Sequence, residues 1–259
     1  CKGKEILYIG KATSLRQRVR SYFREDLMET RGPKLVAMLD EATHERHEAT
    51  DSVLEALIRE SRLIKEHQPP YNTREKDGRS YNYVVITNED FPRIFTVRER
   101  SLLKKGSLDF TVRHTFGPFP NGDQLRAALR TIRKIFPFRG KKDYQQSHER
   151  FYEALGLSPD TESREAKRRY LANIRRIKQF FEGNKKNIIT QLERDMERAS
   201  RKRNYEEAAY YKKQLFALQH IQDIALVKDN LDTLWSEHTT STRIEAFDVA
   251  HLRGDHTVG

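Results

Sequence analysis

The stretch "ILYIGKATSLRQRVRSYF" (Ile6–Phe23) decides how the rest of the chain is read. A strand-like apolar run ends on Gly10, Lys11 follows, and a helical pattern then carries Arg16, Arg18, Arg20 and Tyr22. Ser14 followed three residues later by Gln17 is a capping-box signature that opens the helix. Leu15, Val19 and Tyr22 supply its apolar stripe. Arg18 and Tyr22, four apart, share a face, whereas Arg16 and Arg20 lie on another. Gly10 permits a sharp exit that brings Tyr8 and Lys11 near the helix start. A guanidinium and an ammonium converging there would suit a phosphodiester. The same residues also suit a basic exposed helix with two packing tyrosines.

Working outward, "SVLEALIRESRLIKEH" (52–67) is a second capped helix, with Ser52 and Glu55 as the capping box. Val53, Leu57, Glu60 and Ile64 fall on one of its faces. A lone carboxylate on an apolar seam is costly unless paired or bound to a metal. Glu60 therefore reads either as half of an ion pair, with Arg18 a candidate, or as a metal ligand beside a phosphate site. Asn72, just after "QPPY", is either an ordinary turn residue or a polar group that holds the same site together.

Composition sets the frame. The chain has 259 residues, 36% hydrophobic and 34% charged, with 49 Lys and Arg against 38 Asp and Glu, net +11. Low apolar content suggests small modules joined by exposed helices, and the basic excess fits a polyanionic partner such as nucleic acid. The single cysteine, Cys1, excludes a disulfide framework and fits a reducing cytoplasm. No apolar run approaches membrane-spanning length. The chain begins with Cys and stops on "DHTVG", so both ends read as cut from something longer.

The remaining pattern reads α+β. A helix is expected over "GPKLVAMLDEA" and a weak strand over "ERHEATD". Strands follow at "YNYVVIT" and "RIFTVRER", then a turn-rich "FGPFPNG" and the helix "DQLRAALRTIRKIF". Residues 140 to 165 are polar and irregular. From Glu165 to about Val227 nearly everything reads as helix, broken at "RKRNYEE" into a hairpin. "STRIEAFDVAH" is a final strand-like run. No tandem repeat is evident.

Three ordered segments carry a resemblance: "ILYIGKATSLRQRVRSYF", "EALIRESRLIKEHQPPYN" and "FGPFPNGDQLRAALRTIRKIFPFR". Together they resemble the GIY-YIG nuclease family in its UvrC branch, a bacterial excision-repair subunit. "LERDMERASRKRNYEEAAYYKKQL" resembles the UVR helical hairpin that pairs with UvrB, with Tyr205, Glu206, Ala208 and Ala209 in its core and Lys212 following. "RIEAFDVAHLRGDHTVG" resembles the first strand of that family's ribonuclease-H-like nuclease.

The resemblance implies a small mixed α/β nuclease domain with a central antiparallel sheet over 1–90, its first strand missing. A connecting segment over 91–140, a helical linker over 141–183, the UVR hairpin over 184–226 and the start of the second nuclease over 240–259 would follow. It implies catalytic roles for Tyr8, Lys11, Arg18, Tyr22 and Asn72. Glu60 would hold Mg²⁺ or Mn²⁺, and Asp248 would be a metal and catalytic carboxylate of the second, incomplete site. The implied reaction is metal-dependent incision of damaged double-stranded DNA 3′ to a lesion, after recruitment to UvrB. The partner residues would be Tyr205, Glu206, Ala208, Ala209 and Lys212, and no membrane is involved.

The departures are specific. The GIY tyrosine lies upstream of the sequence, which leaves open a non-catalytic DNA- and UvrB-binding module. A stand-alone GIY-YIG nuclease of a mobile element is the third reading, against which the hairpin and the Asp248 strand argue. No cysteine follows "FPFR", so no iron–sulfur cluster is expected. Lys212 and Lys213 replace the family's usual arginine–aspartate pair.

Overall fold

The computed structural model describes residues 1–24, 26–72, 81–104, 110–141 and 164–221, and the backbone of 250–252 and 256–258. The chain divides into two units, Cys1–Ala225 and Leu226–Gly259. The class is α+β.

The first unit opens with helices α1 (Leu15–Ser21), α2 (Leu27–Arg31), α3 (Pro33–Glu41) and α4 (Val53–His67). The caps are those written in the sequence. Ser14 accepts from the Gln17 amide, and Ser52 accepts from the Glu55 amide at 3.1 Å. Such caps satisfy amides that a helix start otherwise leaves orphaned. α4 stops where Gln68 turns left-handed (φ 44°) ahead of Pro69 and Pro70.

Next come β1 (Asn82–Thr87), β2 (Ile94–Arg98), α5 (Glu99–Leu103), β3 (Val112–Phe119) and α6 (Gly122–Ile135). The strands form one antiparallel sheet in the order β2–β1–β3. Val84, Val85 and Ile86 of β1 are wholly buried, as a central strand covered on both faces requires. Asn121 caps α6 by accepting from the Asp123 and Gln124 amides, each at 3.0 Å. α6 buries Leu125, Ala128, Leu129, Ile132 and Ile135, the spacing of a single helical stripe.

Helices α7 (Arg164–Phe181), α8 (Lys185–Arg201) and α9 (Tyr205–Gln219) complete the unit. One core joins Leu54, Leu57 and Ile58 of α4 to the sheet, to α6, and to Tyr170, Ile177, Phe181, Ile188, Leu192 and Leu218. A buried polar network crosses that core. Arg176, 3% exposed, binds Asp195 at 2.8 Å and lies over the Tyr211 ring. Gln214 donates to the Ile135 carbonyl and to Asn173, each at 3.1 Å. This ties α9 to α7 and to the end of α6.

The second unit is described only as an antiparallel hairpin of β4 (Ala250–Leu252) and β5 (His256–Val258). Of the strand-like run "STRIEAFDVAH", only its end falls on described residues; Asp248 lies outside them.

Several expectations are corrected. "ILYIG" is not a ladder strand: its polar groups pair with Tyr71 and Asn72 instead. "ERHEATD" forms no strand, and its neighbours Thr43 and His44 bond to the Cys1 carbonyl. "RIFTVRER" leaves the sheet after Arg98 and becomes α5. "FGPF" is strand rather than turn. Pro118 is tolerated because β3 is an edge, and a register shift between Asn82 and Val84 absorbs the Gly117–Pro118 segment. The long helical run breaks at 182–184 as well as at 202–204. The stripe of α1 is not buried: no α1 residue is, and Leu15 is 42% exposed.

Candidate active site

The site is assembled from the loop after Leu7, from α1, from α4 and from the turn that follows α4. Asn72 is the joint. Its carboxamide accepts from the Ile9 amide and donates to the Ile9 carbonyl, both at 2.7 Å. One side chain thus does for residue 9 what a neighbouring strand would do. Tyr71 adds its amide to the Leu7 carbonyl at 3.0 Å. The Tyr81 hydroxyl donates to the Asn72 carbonyl. Asn72 therefore ties the loop at Ile9 to the turn after α4.

Gly10 lies against the Tyr8 ring: a Cβ there would meet it at 2.8 Å and push it aside. Lys11, the next residue, reaches α4 and pairs with Glu60 at 2.8 Å. Glu60 is nearly buried, with its side chain 9% exposed against 17% for Lys11. The ion-pair alternative had named Arg18; the pair is made by Lys11, because the Arg18 guanidinium is engaged elsewhere.

Arg18 donates from Nη2 to the Tyr8 hydroxyl at 3.3 Å, and its Cζ lies 5.1 Å from the Tyr22 ring centre. Its Nε is buried with no hydrogen-bond partner among the described residues. Burial alone would lower the Arg18 pKa, but the Tyr22 and Tyr8 hydroxyls outweigh it and hold it above its ordinary value. Burial, reinforced by Tyr8, raises the Tyr22 pKa. A guanidinium that stays charged and a phenol that stays neutral therefore stand side by side near neutral pH. Arg16 and Arg20 are exposed, on the face away from this cluster.

Two groupings result, Tyr8–Arg18–Tyr22 and Lys11–Glu60. They are joined by the three-residue step from Tyr8 to Lys11, which spans at most about 11 Å. Among the described residues no cluster of three or more His, Cys, Asp and Glu could hold a metal. Glu60 is thus a single carboxylate donor. Its Oε2 is taken by Lys11, while Oε1 accepts no hydrogen bond among the described residues. One free carboxylate oxygen suits a small divalent cation that keeps most of its water shell.

The hairpin of α8 and α9 presents a separate surface. Its turn closes with Arg203 left-handed (φ 58°), and Asn204 caps α9 on the Glu207 amide. Met196, Ser200, Arg201, Ala208, Ala209 and Lys212 line most of a groove of about 590 Å³ between the two helices. Tyr205 is 68% exposed, and Glu206, Ala209 and Lys212 are exposed too. The opposite face of α9, through Tyr210 and Gln214, is buried against α7. Sequence reasoning missed Tyr71 and Tyr81. The run "PPYN" offered Tyr71 as a neighbour of Asn72, but nothing marked Tyr81.

The loop with Tyr8 and Lys11, α1 with Arg18 and α4 with Glu60 all fall in a segment whose match makes it a GIY-YIG type nuclease domain. The UvrC-like GIY-YIG domain family matches residues 2–73, and the UvrB/uvrC motif family matches residues 186–221. Curated relatives named UvrABC system protein C match the chain as well. That of Clostridium tetani is 34% identical over 226 residues, covering 85% of this chain and 35% of the relative. That of Caldanaerobacter subterraneus subsp. tengcongensis is 31% identical, covering 95% and 39%. That of Nitrosococcus oceani is 31% identical, covering 100% and 42%. The chain belongs to the UvrC family and spans about a third to two fifths of the length of these relatives. No solved structure matches it. Among the described residues, no helix is long and apolar enough to cross a membrane.

Proposed function

We propose that the chain is the part of a bacterial nucleotide-excision-repair endonuclease that incises damaged double-stranded DNA 3′ to a lesion. The observation that carries this reading is that the loop holding Tyr8 and Lys11 meets Glu60 of α4 through Lys11 and Arg18 of α1 through Tyr8, all within the segment matched to the UvrC-like GIY-YIG domain.

In this reading Glu60, through its free Oε1, would hold Mg²⁺ or Mn²⁺, which would supply positive charge for the reaction's developing negative charge. Arg18, kept charged by its two tyrosines, stabilises the negative charge that builds on the phosphorus oxygens. The Tyr8 hydroxyl orients the attacking water, whose proton passes to solvent while the leaving 3′-oxygen takes one up. As the water oxygen bonds to phosphorus, the bond from phosphorus to the 3′-oxygen breaks. Lys11 moves from Glu60 toward the phosphate. Tyr22 shields Arg18 from water, and Asn72 fixes the loop. Contacts to DNA are mainly to phosphates, so lesion choice comes from the partner.

UvrB is the proposed partner, docking on the α8–α9 hairpin through Tyr205, Glu206, Ala208, Ala209 and Lys212. Asp248 is the proposed first carboxylate of a second, ribonuclease-H-like nuclease. The test is nicking of lesion-bearing duplex DNA in the presence of UvrB and Mg²⁺. Glu60→Ala is expected to lower the rate by about a thousandfold or more. Undiminished nicking by that variant would remove Glu60 from the site.

A further inference from the structure

The ends of α4 that flank Glu60 are held by the corner between α7 and α8. Lys185, at the start of α8, pairs with Glu55 of α4 at 2.8 Å, and both side chains are largely covered, at 14% and 23% exposed. Seven residues further along α4, Arg62 donates from Nη1 to the Glu182 carbonyl at 2.8 Å. That carbonyl lies just past the C-terminal end of α7, where a cation complements the helix dipole. Gly183 is required at the corner for two reasons. Its φ is +78°, and a Cβ there would stand 2.5 Å from the Arg62 Nη1. Glu60 sits between the two holding points. Apolar packing continues the attachment, with Leu54, Leu57 and Ile58 of α4 in one core with Phe180, Phe181 and Ile188.

We propose that Glu55, Arg62, Lys185 and the Glu182–Gly183 backbone form a clamp that positions the catalytic helix. The hairpin is then part of the support of the nuclease site rather than a tethered docking arm. These are positioning residues, acting on Glu60 through α4. Small displacements of a reacting group are costly to rate, so the clamp is felt in turnover rather than in DNA affinity. The inference rests on the nuclease reading above.

The test uses the whole chain with Glu55→Gln, Lys185→Met and the reversed pair Glu55→Lys with Lys185→Glu. Glutamine at 55 keeps the capping role beside Ser52 and removes only the charge. Each single substitution is expected to lower nicking kcat about tenfold with KM for DNA unchanged. Each is also expected to speed hydrogen exchange of the α4 amides about tenfold. The reversed pair is expected to recover most of both. Exchange and kcat that match the unsubstituted chain in both single variants would overturn the clamp, as would a reversed pair no better than the singles. If nicking survives Glu60→Ala, the nuclease reading fails, while exchange in α4 still reports whether the clamp exists.

Discussion

The helix that carries Glu60 and the helix that carries Arg18 both touch the loop of Tyr8 and Lys11, yet they are held in different ways. α4 shares a core with the sheet and with α6 to α9 through Leu54, Leu57 and Ile58. α1 buries no residue at all, and Leu15 and Phe23 at its two ends are 42% and 77% exposed. The loop before it hangs on Asn72, and Arg18 on Tyr8. One side of the site is set by apolar packing. The other is set by a few hydrogen bonds, each contributing about 1 kcal/mol net. The division suits the chemistry assigned to each side: a rigid carboxylate on one, and phosphate-facing cations with room to adjust on the other.

The contrast can be broken at its strongest point first. Arg176→Ala leaves Asp195 only its longer pairing with Arg198 and removes a buried guanidinium from the network between α7, α8 and α9. It is expected to cost about 3–5 kcal/mol in a urea unfolding series. A cost near zero would mean that the packed half does not depend on its polar centre.

A smaller effect belongs to Tyr170, whose hydroxyl donates to the Pro92 carbonyl and whose pKa burial pushes up to about 12. The folded value lies above the unfolded one of about 10, so the contribution is fully present below pH 10 and is lost as pH rises to 12. The expected loss is about 2–3 kcal/mol across that window. It should vanish in Tyr170→Phe when stability is followed against pH.

The smallest effect is expected on the other side. Leu15→Ser removes an exposed side chain from a helix with no fully buried residue, and should change stability by less than about 0.5 kcal/mol. A loss as large as that of Arg176→Ala would erase the distinction between the two halves.

Much of this was legible from residues alone, and the reason differs by element. The helices were readable because caps and stripes are local: Ser52 with Glu55, and the Leu125 to Ile135 spacing, need no partner to be seen. Glu60 stood out because a carboxylate on an apolar seam needs a partner. Which partner it takes was not readable, since that depends on the loop placing Lys11 at α4 while Tyr8 and Tyr22 engage Arg18. The "ILYIG" strand was misjudged because apolar β-branched residues report an extended chain but not who satisfies its amides; here Asn72, 63 residues away, does so. "FGPF" was misjudged because Gly and Pro signal turns locally, whereas an edge strand admits them. The attachment of α4 to the α7–α8 corner joins residues about 130 apart and leaves no local trace.

The most direct test of the site is the nicking rate of the double variant Lys11→Met with Glu60→Gln. If the pair is only a structural ion pair, removing both partners together restores what either single loss takes away. If Glu60 and Lys11 act on the metal and the phosphate, the double variant stays at least about a thousandfold below the unsubstituted protein, like Glu60→Ala. Recovery of the double variant to within about tenfold would contradict the nuclease assignment.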